Sequence, residues 1–463
     1  MTVLYHSTRG MASAADFRTV ALGGLAPDGG LYVPQTWPQF AAADLAAMKD
    51  LPYADIAARV LSPFTAPALD DATLHRLAVE TYAAFDDPAI APLRQIDGRL
   101  WLMELFHGPT LAFKDIALQL LGRVFEYFLG QGDGRMTVIG ATSGDTGSAA
   151  MTALAGRKNI DVFILYPQKG PSEIQRRQMT CIDAPNTHAL AIDGTFDDCQ
   201  RIVKALFNDV ELRARHRFAA VNSINALRIL AQMVYYFAAT ARLGRAASFA
   251  VPTGNFGNIY AAYAASKCGL PAMRLAVASN RNDILARFFA SGRMQAEPVQ
   301  STLSPSMDIQ VSSNFERLLF DLCDADSAKV RETIGGFQES GAFEVSKLQL
   351  ATARQLFTAG SADDELTLAT IRDVHRENGL VIDPHTAVGV AVARKLSREL
   401  PEPVIVPATA HPAKFPETIK RALGTEPPMP PALAALLQKP EQTAVLPADV
   451  KKVAQFIEKE IVT

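Results

Sequence analysis

The sequence predicts an α/β protein of more than one domain, in which parallel sheets are flanked by helices and a mostly helical region comes first. With 463 residues, the chain exceeds what one hydrophobic core normally holds. From about residue 98, short and wholly apolar runs alternate with helical patterns, as strands buried on both faces of a parallel sheet do. The preceding residues are rich in alanine, and one apolar helix face is visible in the spacing of Leu74, Leu77, Ala78, Thr81, Tyr82 and Phe85.

Seven apolar runs predict strands, and a helical pattern follows each of the first five. The predicted strands are 136–140, 161–166, 187–192, 219–222, 248–252, 274–278 and 404–407. The predicted helices are 148–155, 175–179, 196–207, 226–242 and 259–267. More than one sheet is needed to place all seven strands. The segment 290–400 is predicted to be mainly helical, and the tail after Pro427 to contain two helical stretches separated by 438–447.

Composition and charge exclude several classes of function. The net charge of −3 gives no basic footprint for nucleic acid. No run of about 18 or more apolar residues is present, so no membrane span is predicted. The start lacks the apolar core of a signal peptide, and we therefore expect a cytoplasmic protein. The four cysteines are far apart and form no C-x-x-C pair, so we expect reduced core thiols rather than disulfides or a metal site.

The most informative segment is 104–115, which reads ELFHGPTLAFKD and ends on a lysine at the first turn of an apolar helix. A helix N-terminus carries positive potential that disfavours a cation, so Lys114 is pushed toward the neutral amine. A neutral lysine is a nucleophile that can form a Schiff base with a carbonyl cofactor such as pyridoxal phosphate (PLP). The alternative is a surface lysine beside Asp115, but the apolar residues 111–113 favour a buried setting.

Three loops follow predicted strands, at the edge of a parallel sheet where ligands bind. The loop 252–258 reads PTGNFGN, and its two glycines allow successive backbone N–H groups to point inward ahead of a helix, which makes a phosphate cradle. It lacks the lysine of a P-loop and the G-x-G-x-x-G spacing of dinucleotide sites. The alternative is a plain turn between a strand and a helix.

The other two loops are rich in hydroxyl groups. The loop 141–148 reads ATSGDTGS and offers four hydroxyls, a carboxylate and backbone amides that could hold a substrate carboxylate, with a helix N-cap as the alternative. Thr409, after the strand 404–407, is placed to meet a ring nitrogen with its hydroxyl, and a capping threonine is the alternative.

As a set, HGPTLAFKD, ATSGDTGSAA and PTGNFGN resemble the threonine synthase family, within the tryptophan-synthase-like group of PLP enzymes (fold type II). The resemblance continues in segments 5–10, 222–228, 304–317 and 409–415, and it extends to about residue 424, as in the longer form of the family. It implies a tryptophan synthase β-like fold. The domain ranges expected from it are 1–95 for an N-terminal domain, 131–239 for a small α/β domain, and 96–130 with 240–463 for a large PLP-binding α/β domain with C-terminal helices.

The resemblance also implies roles for individual residues. Lys114 would carry PLP as a Schiff base and remove the substrate Cα proton. The PLP phosphate would be bound by Gly254, Asn255, Phe256, Gly257 and Asn258. Thr409 would contact the pyridine nitrogen. The substrate carboxylate would be bound by Ser143, Gly144, Asp145 and Thr146. Candidates for the substrate phosphate are Lys169, Arg176, Arg228, Arg281 and Lys414, of which Arg228 is favoured because it lies in a family-like segment. Further possible contacts are Asn225, Ser306, Asp308 and Asn314.

The activity implied is that of a PLP-dependent carbon–oxygen lyase that converts O-phospho-L-homoserine and water to L-threonine and phosphate. The partner expected is this small molecule, with no nucleic acid and no membrane, and the protein is expected to be a monomer or a homodimer. Three other functions fit part of the same pattern. They are a serine or threonine dehydratase, a non-catalytic regulator that binds PLP or a phosphorylated ligand, and a nucleotide-binding module, which the absence of a Walker lysine disfavours.

Overall fold

Within residues 2–142 and 144–461, which the computed structural model describes, short strands alternate with helices. The strands are β1 (Tyr5–Ser7), β2 (Tyr32–Pro34), β3 (Leu93–Gln95), β4 (Leu100–Glu104), β5 (Met136–Ala141), β6 (Ile160–Pro167), β7 (Thr187–Asp193), β8 (Phe218–Ala220), β9 (Ala247–Pro252), β10 (Ala272–Ser279), β11 (Arg293–Gln295), β12 (Ala342–Glu344), β13 (Phe357–Ser361), β14 (Val404–Ala408) and β15 (Ala444–Pro447). The helices are α1 (Phe17–Gly23), α2 (Ala42–Met48), α3 (Tyr53–Thr65), α4 (Asp71–Tyr82), α5 (Lys114–Phe128), α6 (Asp145–Leu154), α7 (Glu173–Thr180), α8 (Phe196–Asn208), α9 (Val210–His216), α10 (Ala226–Leu243), α11 (Gly257–Lys267), α12 (Ile284–Ser291), α13 (Phe315–Leu322), α14 (Ser327–Ser340), α15 (Lys347–Leu356), α16 (Asp364–Asn378), α17 (Pro384–Lys395), α18 (Pro416–Leu423), α19 (Pro431–Leu436) and α20 (Val450–Glu460).

The larger sheet has six strands in the order β13-β10-β9-β14-β4-β3. All neighbouring pairs are parallel except β3, which pairs antiparallel with β4 at one edge. Every residue of β9 and of β14 is buried, because these central strands are covered by helices such as α17. The carboxyl ends of β4, β9 and β14 therefore lie at one edge of the sheet, where ligands bind in folds of this class.

The second sheet has five strands in the order β15-β7-β6-β5-β8, and all of its pairs are parallel. The eight residues of β6 are all buried, and α6 and α8 pack on it. The loop that connects β5 to α6 lies at the carboxyl edge of this sheet. The prediction of parallel sheets flanked by helices is therefore confirmed.

Predicted and observed elements agree closely, with informative exceptions. All seven predicted strands are present, with ends within two residues of the predicted ones, and the five predicted helices are present as well. Helix α6 begins at Asp145, three residues before the predicted start at Ser148, and it has no side-chain cap. Strand β13 lies in a segment predicted to be mainly helical, and it was missed because its sequence FTAGS is small and partly polar rather than an apolar run.

The C-terminal tail departs from the predicted domain ranges. Strand β15 pairs in parallel with β7, and α20 packs against α8, so this part of the tail joins the second sheet rather than the larger one. The stretch 438–447 was predicted only as a separator, and four residues are too few to show a strand pattern. No local signal tells which sheet such a strand will join. The remaining domain ranges stay predictions.

The N-terminal region is mostly helical, as predicted, and it packs on α5 and α10. Thr8 and Arg9 tie it to α13, because the Thr8 hydroxyl donates to Glu316 Oε1 over 2.6 Å and Arg9 donates to both oxygens of Glu316 over 3.1 Å. Of the helices in the described ranges, none has both the length and the apolar character needed to cross a membrane.

Candidate active site

A cavity of about 810 Å³ brings together the lysine and the three loops that the sequence singled out. It is lined by the start of α5 and by the loops that follow β5, β9 and β14. The predicted site residues that line it are Lys114, Gly144, Asp145, Thr146, Arg228, Gly254, Asn255, Phe256, Gly257, Asn258 and Thr409. Ser143 lies outside the described residues. The loops after β9 and β14 meet because these neighbouring strands end at one edge of the larger sheet, and the loop after β5 reaches the cavity from the carboxyl edge of the second sheet.

Lys114 is the first residue of α5, and its side chain is 11% exposed. The turn before it is fixed to the loop after β14, because Phe113 N–H donates to the Thr409 carbonyl over 2.9 Å and His411 N–H donates to the Leu111 carbonyl over 3.0 Å. Burial lowers the pKa of Lys114, and the cations Lys414 and Arg228 lower it further, while Asp145 opposes them. The amine is therefore held closer to its neutral, nucleophilic form than an exposed lysine.

Asp145 is shared between two lysines. Its Oδ1 lies 2.8 Å from Lys414 Nζ, and its Oδ2 lies 3.6 Å from Lys114 Nζ. Gln175 Nε2 donates to Oδ1 over 3.0 Å. Burial alone would raise the pKa of Asp145, but the two lysines and these hydrogen bonds hold it well below its usual value. The carboxylate therefore stays ionised beside the Lys114 amine.

Arg228 is the buried cation of the cavity wall. It lies on α10 and is 3% exposed, and its Nη1 donates to the Asn222 carbonyl. Its Nε has no hydrogen-bond partner, and no salt bridge reaches it from any residue in the described ranges. Burial lowers its pKa to about 10, so it keeps its charge at neutral pH. A buried guanidinium without a carboxylate fits an anionic group of a ligand.

The other four cations considered for the substrate phosphate do not line the cavity. Lys169 and Arg281 are exposed, and Arg176 forms an ion pair with Glu441 at 2.7 Å. Lys414 is fully buried behind Asp145, where its Nζ also donates to the Thr110 carbonyl over 2.8 Å. Of the five candidates, Lys414 is therefore disfavoured for the substrate phosphate, because its ammonium is already paired inside the protein.

The glycine turn after β9 has the form of a phosphate cradle. Phe256 has φ of 61°, and α11 begins at Gly257 without a side-chain cap, so the first backbone N–H groups of this helix are open to a ligand. The Asn255 carbonyl accepts from Asn314 N–H and Nδ2, and the Gly254 carbonyl accepts from the Ser312 hydroxyl. A Cβ at Gly254 would lie 2.9 Å from the Ser306 carbonyl oxygen. This close approach explains the glycine.

Asn258 lines the cavity, but the oxygen of its carboxamide forms hydrogen bonds with two buried tyrosines of the core. Its Oδ1 accepts from the Tyr235 hydroxyl over 2.5 Å and from the Tyr236 hydroxyl over 2.7 Å. The Nδ2 of the same group is buried and has no partner within the described part of the chain. The Asn258 oxygen is an acceptor that is already engaged by these tyrosines, so the groups that Asn258 can offer to a phosphate are its backbone N–H and its Nδ2.

Thr409 is held by its backbone, which leaves its hydroxyl available. Its N–H donates to Thr386 Oγ1 over 3.2 Å, and Thr386 in turn donates to the buried carboxylate of Asp383. His385 Nδ1 also contacts Asp383, over 2.9 Å, and His385 Nε2 accepts from Ser306 N–H over 3.2 Å. Among the described residues, none forms a hydrogen bond with the Thr409 hydroxyl. The side chain can therefore meet a ring nitrogen in the cavity.

Comparison with known proteins decides the family. The model for the threonine synthase N terminus matches residues 4–82, that for pyridoxal-phosphate dependent enzymes matches 88–334, and that for the threonine synthase C-terminal part matches 386–457. The threonine synthase of Pseudomonas aeruginosa is 49% identical over 457 residues, which cover 98% of this chain and 97% of that protein. This chain belongs to the threonine synthase family.

Solved structures agree with this assignment. The PLP-bound threonine synthase from Brucella melitensis matches with a TM-score of 0.97 and 47% identity over all of both chains. Threonine synthase from yeast matches with a TM-score of 0.93 and 39% identity, over 99% of this chain and 98% of that one. Maize serine racemase matches with a TM-score of 0.51 and 15% identity, over 72% of this chain and 92% of that one, which shows a shared fold alone. The predictions of fold type II and of PLP dependence are confirmed.

Several residues of this threonine synthase site were not found by sequence reasoning. Ser172 and Gln175 match the S-x-x-Q signature of a capping box, and the structure contains this capping box at the start of α7. The signature does not indicate that Gln175 also donates to Asp145. Asp383 stands before a proline at a helix start, which marks an N-cap only. Of the further candidates, Ser306 and Asp308 line the cavity, whereas Asn225 and Asn314 support neighbouring loops.

Proposed function

We propose that the protein converts O-phospho-L-homoserine and water to L-threonine and inorganic phosphate, the last step of threonine biosynthesis. One observation supports this reaction most. The cavity offers two separate features for anionic groups, namely the glycine turn 254–258 and the buried guanidinium of Arg228. A PLP enzyme that acts on serine or threonine needs the first for its cofactor, but its substrate has no phosphate for the second. Membership of the threonine synthase family supports the same reaction.

PLP fits the residues present. We assign Lys114 as the residue that holds it covalently, the backbone of 254–258 as its phosphate site, and the Thr409 hydroxyl as the partner of its ring nitrogen. The unpaired N–H groups at the start of α11 and the close contact that Gly254 permits support the phosphate assignment. A hydroxyl partner, unlike a carboxylate, leaves the ring nitrogen largely unprotonated. When bound, PLP supplies the electron sink that stabilises a carbanion at the substrate Cα.

Lys114 would have a second role whenever its amine is not bonded to PLP. The amine would then remove the substrate Cα proton, and its lowered pKa favours the neutral form that accepts a proton. The nearby Asp145 carboxylate stays ionised and stabilises the ammonium that results. Both groups lie in a buried setting, where their interaction is stronger than in water.

Two groups of the substrate need their own binding sites. We assign the substrate carboxylate to the start of α6, residues 144–146, where the helix carries positive potential. The Gly144 and Gly147 N–H groups already donate to Thr142 Oγ1, so the N–H groups of Asp145 and Thr146 are the donors assigned to it. We assign the substrate phosphate to Arg228, which has no competing carboxylate. A cavity of about 810 Å³ suits a cofactor with an amino-acid-sized ligand. A cytoplasmic location and a monomeric or homodimeric state stay predictions from the sequence.

A product assay tests the proposed reaction against its closest alternative. Purified protein supplied with PLP is incubated in turn with O-phospho-L-homoserine, L-serine and L-threonine, and phosphate, threonine, ammonia and oxo acid are measured. We expect equal amounts of phosphate and threonine from the first substrate, at a rate far above the release of ammonia from the other two. Ammonia and oxo acid from serine or threonine as the dominant products would instead establish a dehydratase.

Replacement of Arg228 tests the second anion site. In Arg228→Met we expect the KM for O-phospho-L-homoserine to rise by about 10- to 100-fold, because a charge-assisted contact to phosphate is lost. PLP content should stay at the wild-type level, and Arg228→Lys should lie between the two. Arg245→Met, in the exposed turn just after α10, serves as the control. A wild-type KM in Arg228→Met would remove Arg228 from the substrate site.

A further inference from the structure

Lys414 is the most completely buried cation near the active site, with a side chain that is 0% exposed. It is placed by the short 3₁₀ turn Pro412–Lys414, which follows Thr409 on the same loop. Its Nζ has two acceptors, Asp145 Oδ1 at 2.8 Å and the Thr110 carbonyl at 2.8 Å. Burying a charge this deeply is costly unless it has a defined partner, so the pairing with Asp145 calls for an explanation beyond packing.

The pair is arranged so that one carboxylate serves two amines. Lys414 holds Oδ1 of Asp145 together with Gln175, and this leaves Oδ2 facing the Lys114 amine at 3.6 Å. The Lys414 ammonium repels a charge on Lys114 and so offsets part of the attraction of Asp145. Without Lys414 this repulsion would be lost, and the ammonium form of Lys114 would be more strongly favoured.

We propose that Lys414 is a positioning residue for the PLP chemistry of this site: its ammonium anchors Asp145 and places a second cation beside Lys114, so that the Lys114 amine remains available as a nucleophile and base. This proposal rests on the assignment of Lys114 as the PLP lysine. Lys414 touches neither substrate nor cofactor, since it lies outside the residues that line the cavity within the described ranges. It acts on Lys114 indirectly, by holding Asp145 in place and by electrostatic repulsion of the Lys114 ammonium.

The charged groups around Lys114 affect its pKa in the direction that the proposal requires. The pKa of Lys114 is lowered by burial first, and among charged neighbours Lys414 and Arg228 lower it while Asp145 raises it. Lys414 also faces Asp115, whose pKa burial raises to about 6. The other titratable groups that line the cavity or act near Lys414 are Asp197, Asp308, His385 and His411. Removing the Lys414 charge is therefore expected to raise the pKa of Lys114.

The test measures Lys114 directly rather than turnover. Apoenzyme is mixed with PLP at a series of pH values, and the rate of covalent capture is followed by the visible absorbance of bound PLP. Borohydride reduction and peptide mass analysis then identify the modified lysine. Because only the neutral amine reacts, the pH midpoint of this rate follows the pKa of Lys114. The ionisations of PLP itself are the same for every variant and cancel in the comparison.

We expect Lys414→Met to raise the midpoint by about one pH unit, the size of effect that one nearby buried charge exerts. Lys414→Arg, which keeps a cation, should leave the midpoint where it is. Lys420→Met, an exposed lysine on α18, is the matched control and should also leave it unchanged. In the double variant with Asp145→Asn, one positive and one negative charge are lost, and the midpoint should return close to the wild-type value.

Three other results would contradict either the role proposed for Lys414 or the proposed function. A folded Lys414→Met protein with the wild-type midpoint would reduce Lys414 to a structural residue. If circular dichroism shows that this variant does not fold, Lys414→Arg decides, and a midpoint raised by about one unit despite the retained charge would overturn the proposal. Wild-type apoenzyme that captures PLP on a lysine other than Lys114 would overturn the proposed function itself, a result separate from the other two.

Discussion

Lys114→Ala is expected to lower kcat/KM for O-phospho-L-homoserine by about 10⁴-fold or more. The substitution removes both the covalent attachment of PLP and the base that takes the Cα proton. Lys414 cannot replace it, because its ammonium is held by Asp145 and by the Thr110 carbonyl behind the cavity wall, and Lys114 is the one lysine among the described residues that line the cavity. The fold should survive, since Asp145 keeps its closer partner when the Lys114 amine is lost.

Three measurements check this expectation. The visible absorbance of bound PLP should be lost or shifted in Lys114→Ala, borohydride should no longer fix PLP on the peptide that contains 114, and phosphate release should fall to background. Lys420→Ala removes an exposed lysine from α18 and should behave as wild type in all three. Retention of more than about a tenth of the wild-type phosphate release would rule out Lys114 as the catalytic lysine.

The sequence was sufficient to single out this lysine, but not to explain it. The helix start behind a Gly-Pro break was visible, and α5 does begin at Lys114. The prediction assigned the loss of charge to the helix dipole, whereas burial is the largest cause and the neighbouring cations Lys414 and Arg228 add to it. The burial of Lys114 and its charged neighbours depend on how three segments meet, namely the loop after β5, the loop after β14 and the start of α10. A local sequence pattern does not predict such contacts between distant segments.

Local sequence patterns predicted part of the site, whereas contacts between distant segments could not be predicted from them. Loops that follow parallel strands of one sheet converge at its carboxyl edge, so the glycine turn and Thr409 could be placed together in advance. The Asp145 loop follows a strand of the second sheet, and the resemblance to the family, rather than the strand pattern, grouped it with them. Pairs formed between distant segments could not be placed in advance. The contacts of Asp145 with Gln175 and Lys414 are side-chain encounters set by tertiary packing. Strand β15 was missed for a related reason, since its partner β7 lies in another part of the chain.

The family-like segment 304–317 supports the loops beside the cavity. Arg317 is fully buried and donates to the carbonyls of Ile224 and Tyr32, while Asn314 donates to the carbonyls of Ser223 and Asn255. These bonds tie the start of α13 to the segment before Arg228 and to the glycine turn. The segment 304–317 therefore holds the glycine turn and the segment before Arg228 in place relative to each other.

Gly254→Val is expected to weaken PLP binding by about 100-fold or more. A Cβ at this position would lie 2.9 Å from the Ser306 carbonyl oxygen and 3.2 Å from Met307 Cα and Ile309 Cγ1. Two of these three atoms belong to the backbone, so the clash cannot be relieved by turning a side chain. The glycine turn must move away from 305–309, and its N–H groups then lose their alignment on the PLP phosphate.

Gly254→Val should weaken the binding of PLP but not that of pyridoxal, because only PLP carries the phosphate that the glycine turn is proposed to bind. Titration of the apoenzyme with PLP gives the dissociation constant, and titration with pyridoxal, which lacks the phosphate, should show little difference between Gly254→Val and wild type. Gly98→Val, at an exposed bend with open space around it, should bind PLP normally. Binding of PLP by Gly254→Val within about threefold of wild type would show that the cofactor phosphate lies elsewhere. Equal losses for PLP and pyridoxal would instead assign Gly254 to the shape of the whole cavity, because only contacts with the phosphate can distinguish the two ligands.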